Sequence, residues 1–287
     1  MDNGQSQPRA LAATARKRFR ITHGKTLFMS IRNDLKILYH LVLRPVRGKD
    51  HAQRMENFYS GQADGYDDFR KRLLQGREHV YQTLGKDASA PNPGTTDSNP
   101  APTSKPKVWV DFGGGTGSNL EFIGPSITNL SQVYVVDLAT SLLEVVKKRS
   151  ERNGWNNVTA VTGDATTWTP PEGYADIVTF SYSLTMIPDW FAAIDNAFRI
   201  LKPGGKIGVI DFYVARKFAA EGLKRHSWTT RNFWPVWFSS DNVFPSPDHI
   251  PYLRNRFSTS LIQELRAKIP YLPLARTPYY QFIGTKA

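Results

Sequence analysis

The run Val108-Trp109-Val110-Asp111-Phe112-Gly113-Gly114-Gly115-Thr116-Gly117-Ser118-Asn119 decides the fold. Val108-Trp109-Val110 reads as a short buried strand, and Gly113 to Gly117 as a glycine turn that opens a helix. Turns of this kind let a backbone approach a ligand closely. Two glycine codes are excluded. The dinucleotide fingerprint G-x-G-x-x-G meets Ser118 in one register and Leu120 in the other. A phosphate loop needs Gly-Lys-Ser/Thr, which the turn lacks. What fits is acid-x-G-x-G-x-G, with Asp111 closing the strand.

Downstream, strand and helix patterns alternate. Apolar strands are expected at 133–136, 158–161, 177–180 and 206–212, with a last one at 279–285. Ser141 with Glu144 reads as a capping box, and Phe191, Ile194, Phe198 and Leu201 mark one face of a helix. Pro203-Gly204-Gly205 turns into the fifth strand. The alternation predicts an α/β fold, a mostly parallel sheet covered by helices on both faces.

The chain has 287 residues, 40% of them hydrophobic, enough for one large α/β core. It has no cysteine, which excludes disulfides, thiolate catalysis and Cys-ligated metal sites. No metal site is expected. Its 37 basic and 25 acidic side chains give a net charge of +12, which favours a polyanionic partner, nucleic acid or an anionic membrane. The excess is uneven: residues 1–60 carry 12 basic and four acidic side chains. The start reads as a basic flexible tail over 1–26, and its Arg-rich, acid-poor composition also matches a mitochondrial transit peptide. From Leu27, a helical stripe of Leu27, Ile31, Leu35, Leu38 and Val42 with basic flanks suits a membrane interface or a domain edge. The helical segment extends over 27–84. Residues 85–107, rich in Pro, Ser, Thr and Asn, read as a flexible insertion without regular structure, and 108–287 as the core.

The glycine pattern, Asp137 at the end of Val133-Tyr134-Val135-Val136-Asp137, Gly163-Asp164-Ala165 and Leu201-Lys202-Pro203-Gly204-Gly205 occur in one order. Together they resemble the class I S-adenosylmethionine-dependent methyltransferases. The resemblance implies a Rossmann-like seven-stranded sheet and S-adenosylmethionine as cofactor. It implies cofactor contacts from Asp111, Gly113, Gly115, Gly117, Asp137, Leu138, Asp164, Ala165 and Ser181. Asp111 would stand near the methionine ammonium, Asp137 on the ribose hydroxyls, and Asp164-Ala165 by the adenine. The fourth-strand segment Ser181-Tyr182-Ser183-Leu184 lacks the Asn/Asp-Pro-Pro-Tyr of enzymes that methylate base nitrogens. A small-molecule or lipid acceptor is therefore expected, with no nucleic-acid partner.

The flanks narrow the resemblance. His51-Ala52-Gln53-Arg54-Met55-Glu56-Asn57-Phe58-Tyr59, Gln62-Ala63-Asp64-Gly65-Tyr66-Asp67 and Phe69-Arg70-Lys71-Arg72-Leu73-Leu74-Gln75-Gly76-Arg77-Glu78 are similar to the methyltransferase portion of betaine lipid synthases. Phe233-Trp234-Pro235-Val236-Trp237-Phe238 and Pro247-Asp248-His249-Ile250-Pro251-Tyr252-Leu253 share that likeness. It implies transfer of up to three methyl groups to the amine of diacylglyceryl-homoserine, beside a separate homoserine-lipid synthase. The basic N-terminal segment and the absence of cysteine lead to an expected place on the cytoplasmic side of an internal membrane such as the endoplasmic reticulum, with a mitochondrial location, from the Arg-rich start, as the alternative.

An aromatic-rich insertion over about 213–257 is expected to cap the substrate. Trp228 and Trp234 are candidates for an aromatic wall against a methylated ammonium, or for a hydrophobic lid. Arg225, Arg231 and Arg254 are candidates for the substrate carboxylate. Tyr66, His226 and His249 are the candidate catalytic groups. A quinone precursor or sterol is the alternative acceptor. A catalytically silent cofactor-binding or RNA-binding module is the third reading.

Overall fold

The computed structural model describes residues 53–54, 56–57, 72–89, 106–240, 242–269 and 272–287, all within the unit Pro45–Ala287. The basic tail, the stripe from Leu27, Tyr59, Tyr66 and residues 90–105 of the insertion lie outside the described residues. In chain order the elements are α1 (Arg77–Ser89), β1 (Val108–Phe112), β2 (Gln132–Asp137), α2 (Thr140–Asn153), β3 (Val158–Thr162), β4 (Ala175–Ser181), α3 (Trp190–Ile200), β5 (Leu201–Phe212), α4 (Trp228–Ser239), α5 (His249–Arg256), β6 (Ser258–Ile269) and β7 (Leu272–Thr285).

The seven strands form one sheet in the order β3-β2-β1-β4-β5-β7-β6. β1 to β5 are mutually parallel, and β7 pairs antiparallel with both β5 and β6. The chain builds outward from β1 through β2 to β3, then returns to the other side of β1 for β4. That reversal opens a crevice at the carboxyl ends of β1 and β4, where ligands bind in such sheets.

Side-chain alternation divides the core. Val108, Val110 and Phe112 of β1 pack with Phe180, Ile194 and Tyr280 on one face. Trp109 packs on the other face with Tyr81 and Leu84 of α1 and Trp234 and Phe238 of α4. The approach of α1 to β5 is close: a Cβ on Gly208 would lie 2.5 Å from the Leu84 side chain. That residue must be glycine for α1 to seat.

Four local expectations are corrected. The glycine turn leads into a 3₁₀ stretch, Ser118–Asn129, broken at Gly124 and Pro125, where an α-helix was expected. α1 continues through Ser89, so the insertion begins later than Gly85; the missing side chain there admits the Ile123 backbone, 3.3 Å from where a Cβ would sit. The Ser141–Glu144 capping box does not form. α2 starts at Thr140, and the carboxylate of Glu56 takes the Ser141 N–H (3.2 Å) and the Thr140 hydroxyl (3.1 Å). An acid at a helix N-terminus complements the macrodipole whatever its place in the chain. β6 is an edge strand that the hydrophobic pattern did not announce.

Candidate functional site

The crevice holds a cavity of about 190 Å³ at the carboxyl ends of β1 to β4. Four loops line it. Gly113 and Gly115 follow β1; Asp137 and Leu138 end β2; Gly163, Asp164, Ala165 and Thr166 follow β3; Tyr182, Ser183, Met186, Ile187, Pro188 and Asp189 follow β4.

Each loop is fixed by local chemistry. Gly113, Gly115 and Gly117 all have φ between 60° and 68°, the left-handed region that disfavours a Cβ. At Gly113 the restriction is also spatial, since a Cβ would lie 2.4 Å from that of Ser183. The Ser183 hydroxyl in turn donates to the Phe112 carbonyl (3.1 Å), joining the ends of β1 and β4. The Asp137 carboxylate accepts the Gly115 N–H at one oxygen (2.9 Å) and the Ala139 N–H at the other (3.0 Å). It therefore orients the glycine turn and is itself held in the cavity wall. Asp164 accepts from the backbone and hydroxyl of Thr166, both at 2.8 Å, which closes the turn after β3.

Tyr182 has φ 53°, an unusual conformation for a non-glycine residue. Its hydroxyl donates to the Gln75 carbonyl (2.7 Å), its ring lies 4.6 Å from Phe212, and burial raises its pKa well above the usual tyrosine value. Beneath the β4 loop, the fully buried Asp211 accepts the Thr185 N–H (3.1 Å), the Thr185 hydroxyl (2.7 Å) and the Phe212 N–H (2.8 Å). Burial pushes its pKa up to about 7, against these hydrogen bonds, which act to lower it.

Of the residues singled out in the sequence, Gly113, Gly115, Asp137, Leu138, Asp164 and Ala165 meet in this cavity. Others stand elsewhere. Alternation places Asp111 with Trp109 on the α1 side of β1. There its carboxylate is fully buried and accepts from the Tyr81 hydroxyl (2.6 Å) and the Thr179 hydroxyl (2.7 Å). It is a clamp between α1, β1 and β4, set behind the glycine turn and not in the cavity wall. Gly117 faces Val146 of α2, and Ser181 is buried at the end of β4.

The candidate bases lie apart from the cavity. His249 is fully buried, with its ring 4.8 Å from Trp190 and 6.1 Å from Tyr280. Neither ring nitrogen has a hydrogen-bond partner, and burial depresses its pKa to about 3. It is a neutral packing residue. His226 accepts the Ala215 N–H at Nδ1 (3.0 Å), and burial first, then the charge of Arg266, lower its pKa. Trp234 faces inward on α4, whereas Trp228 is 71% exposed. Arg225 is exposed, Arg231 half-buried, and Arg254 donates to the Glu221 carbonyl (2.9 Å); none of the three lines the cavity. Among the described residues, no cluster of His, Asp or Glu is arranged to hold a metal ion.

The sequence offers Tyr182 only as part of the fourth-strand segment, with no site role of its own, and does not mark the Pro188-Asp189 lip. Their signal was position alone, directly after the fourth strand at the reversal of strand order.

The model of the ubiE/COQ5 methyltransferase family matches residues 51–226. Over 174 residues the chain is 25% identical to a ubiquinone/menaquinone biosynthesis C-methyltransferase of Vibrio parahaemolyticus, covering 60% of this chain and 62% of that protein. It is 26% identical to a protein of the same name from Shewanella halifaxensis, covering 60% and 64%. The chain thus spans less than two thirds of the length of these relatives. The crystal structure of the YcgJ protein of Bacillus subtilis shares the fold, with a TM-score of 0.53 at 15% identity over 72% of this chain and 98% of that one.

Proposed function

We propose a function that proceeds from one premise: this chain belongs to the ubiE/COQ5 methyltransferase family. It is an S-adenosylmethionine-dependent methyltransferase that methylates the amine of diacylglyceryl-homoserine, up to three times, to give diacylglyceryl-trimethylhomoserine. The observation that carries the cofactor reading is the Asp137 carboxylate, pinned by two backbone N–H groups in the wall of a cavity at the strand-order reversal. A carboxylate so placed suits paired ribose hydroxyls. The backbone turn at Gly113 and Gly115 suits a close approach by the methionine portion, and Asp164-Ala165 with Ile187 and Pro188 suits a flat, largely apolar ring.

When bound, S-adenosylmethionine supplies an activated methyl group on a sulfonium. The chain's own part is to position and to exclude water. Asp137 and Asp164 would hold the nucleoside end of the cofactor. Tyr182, Ser183 and Met186 form the wall between the cavity and the sheet interior. Among the described residues, the ionisable lining of the cavity is Asp137, Asp164, Asp189 and Tyr182, with no histidine. Such a lining suits an amine acceptor, whose own lone pair is the nucleophile and whose proton can pass to water.

The acceptor reading is supported by the segment that resembles betaine lipid synthases. Gln75, Gly76 and Arg77 of that segment lie against the site: Gln75 receives the Tyr182 hydroxyl, and the buried Arg77 donates to Asn119 (2.8 Å), just past the glycine turn. A second reading, C-methylation of a quinone precursor, is favoured by the family and by the names of the two bacterial relatives. Under the first reading the protein works at a membrane surface facing the cytoplasm, with lipid as its partner and a homoserine-lipid synthase upstream. Incubation with methyl-labelled S-adenosylmethionine and either diacylglyceryl-homoserine or a demethylated quinol, followed by mass spectrometry, separates the two. Label in the betaine lipid supports the first reading, and label only on the quinol ring carbon refutes it.

A further inference from the structure

Helix α4 has two apolar faces. The inner one is ordinary core: Trp234 and Phe238 are buried, and Phe238 stacks on Phe212 at 4.6 Å. The outer one is not. Phe233, Val236 and Trp237 are 48%, 74% and 36% exposed, and their spacing of three and four residues puts them on one side of the helix. Trp228 at its first turn is 71% exposed, and Phe244, just beyond its end, 58%. Scattered single apolar residues need no explanation, but a contiguous patch of large rings does.

We propose that the outer face of α4 seats the protein on an anionic lipid surface. Three observations choose this occupant. The exposed rings include two tryptophans, the residue type that settles where hydrocarbon meets headgroups. The charge that precedes the helix is mainly cationic, with exposed Lys217, Lys224 and Arg225 against Glu221, and α4 itself contains no acid. The face is also unsuited to nucleic acid, because its centre is the aliphatic Val236 and a single arginine is the helix's only charge.

The placement has a functional sense. From the outer face inward, Phe233 contacts Trp234 (4.9 Å), Trp234 contacts Phe238 (5.7 Å), Phe238 stacks on Phe212, and Phe212 meets Tyr182 in the cavity wall (4.6 Å). A bilayer under α4 would lie a few ring layers from the cavity. The inference rests on this surface alone and stands apart from the identity of the acceptor.

The test is sedimentation of the full chain with vesicles of pure phosphatidylcholine and of phosphatidylcholine containing a quarter phosphatidylserine. Wild type should partition onto the anionic vesicles, with quenching of its tryptophan emission by brominated acyl chains. The Phe233→Ser/Val236→Ser variant, altered only at exposed positions, should lose roughly tenfold or more in partition coefficient. Trp237→Phe should reduce the quenching. Unchanged partition in the double variant, with the wild-type melting temperature retained, would place docking elsewhere and overturn the proposal. So would failure of wild type to bind anionic vesicles, or retention by RNA and not by lipid. Methyl transfer to detergent-dispersed acceptor, measured on the same variants, should be unaffected, so docking and acceptor choice fail separately.

Discussion

The role of Asp137 admits a quantitative test. Its two oxygens each take one backbone N–H, from Gly115 and from Ala139, so the carboxylate is locked before any ligand arrives. Hydrogen bonds to a charged group are worth about 1.5–3 kcal/mol. Removing the carboxylate in Asp137→Ala should therefore weaken cofactor binding about 10- to 150-fold, at 1.4 kcal/mol per tenfold. Asp137→Asn should not rescue it, because an amide has one acceptor oxygen and would turn an NH₂ donor toward one of the two N–H donors. The assay is isothermal titration calorimetry with S-adenosylhomocysteine, which binds without turnover. Thermal melts run alongside show whether each variant is folded. A folded Asp137→Ala that binds within twofold of wild type would refute the reasoning and move the nucleoside end elsewhere.

Gly113→Ala combines a left-handed φ with a Cβ placed 2.4 Å from Ser183, and should cost about 1–3 kcal/mol in urea denaturation while abolishing cofactor binding. Tyr81→Phe removes a buried hydrogen bond to Asp111 and should lower stability by about 1.5–3 kcal/mol; an unchanged melting temperature would mean the clamp is slack. His249 and Asp211 predict opposed pH effects. With its folded pKa near 3, His249 destabilises the fold as pH falls below about 6.5, where only the unfolded chain takes up the proton. With its folded pKa near 7, Asp211 stabilises the fold as pH falls from about 7 toward 3.9, where the folded chain keeps a proton that the unfolded chain releases. His249→Phe should therefore gain stability relative to wild type on going from pH 7 to pH 5, by up to about 1.4 kcal/mol per unit. A constant difference between the two proteins across that range would contradict the pairing.

The central strands were legible because β1 and β4 are almost wholly buried, and short apolar runs between turn residues have few other readings. β6 was not. Ser-Thr-Ser-Leu-Ile-Gln-Glu-Leu-Arg-Ala-Lys-Ile places Leu261 and Leu265 four apart, as a helix would, and only its pairing with β7 makes it a strand. The cavity was half legible. Gly113, Asp137 and Asp164 sit at strand ends, where sequence order alone locates them. Asp111 has the same signature, but the parity of β1 turns it toward Tyr81, and no local pattern records which face of a sheet α1 will cover. His249 lies in a polar-looking stretch, and its burial depends on Trp190 and Tyr280, each at least 31 positions away.

The pairing of β7 between β5 and β6 also has a bearing on how the chain is made. Of the segments that form the sheet, β7 leaves the ribosome last, yet it is an interior strand. Gln281 on it donates to the Gly76 carbonyl (2.8 Å) and bonds His79 (3.0 Å), so the seat of α1 is completed by a residue translated about two hundred positions later. Until then β5 presents an open edge of unpaired backbone groups, the template on which nascent chains associate wrongly. The parallel half of the sheet, β1 to β5, is complete in the sequence before β7 is made. Its closure must wait for β7, and a message truncated within 272–285 would yield a chain whose α1 and β6 are both left unmoored.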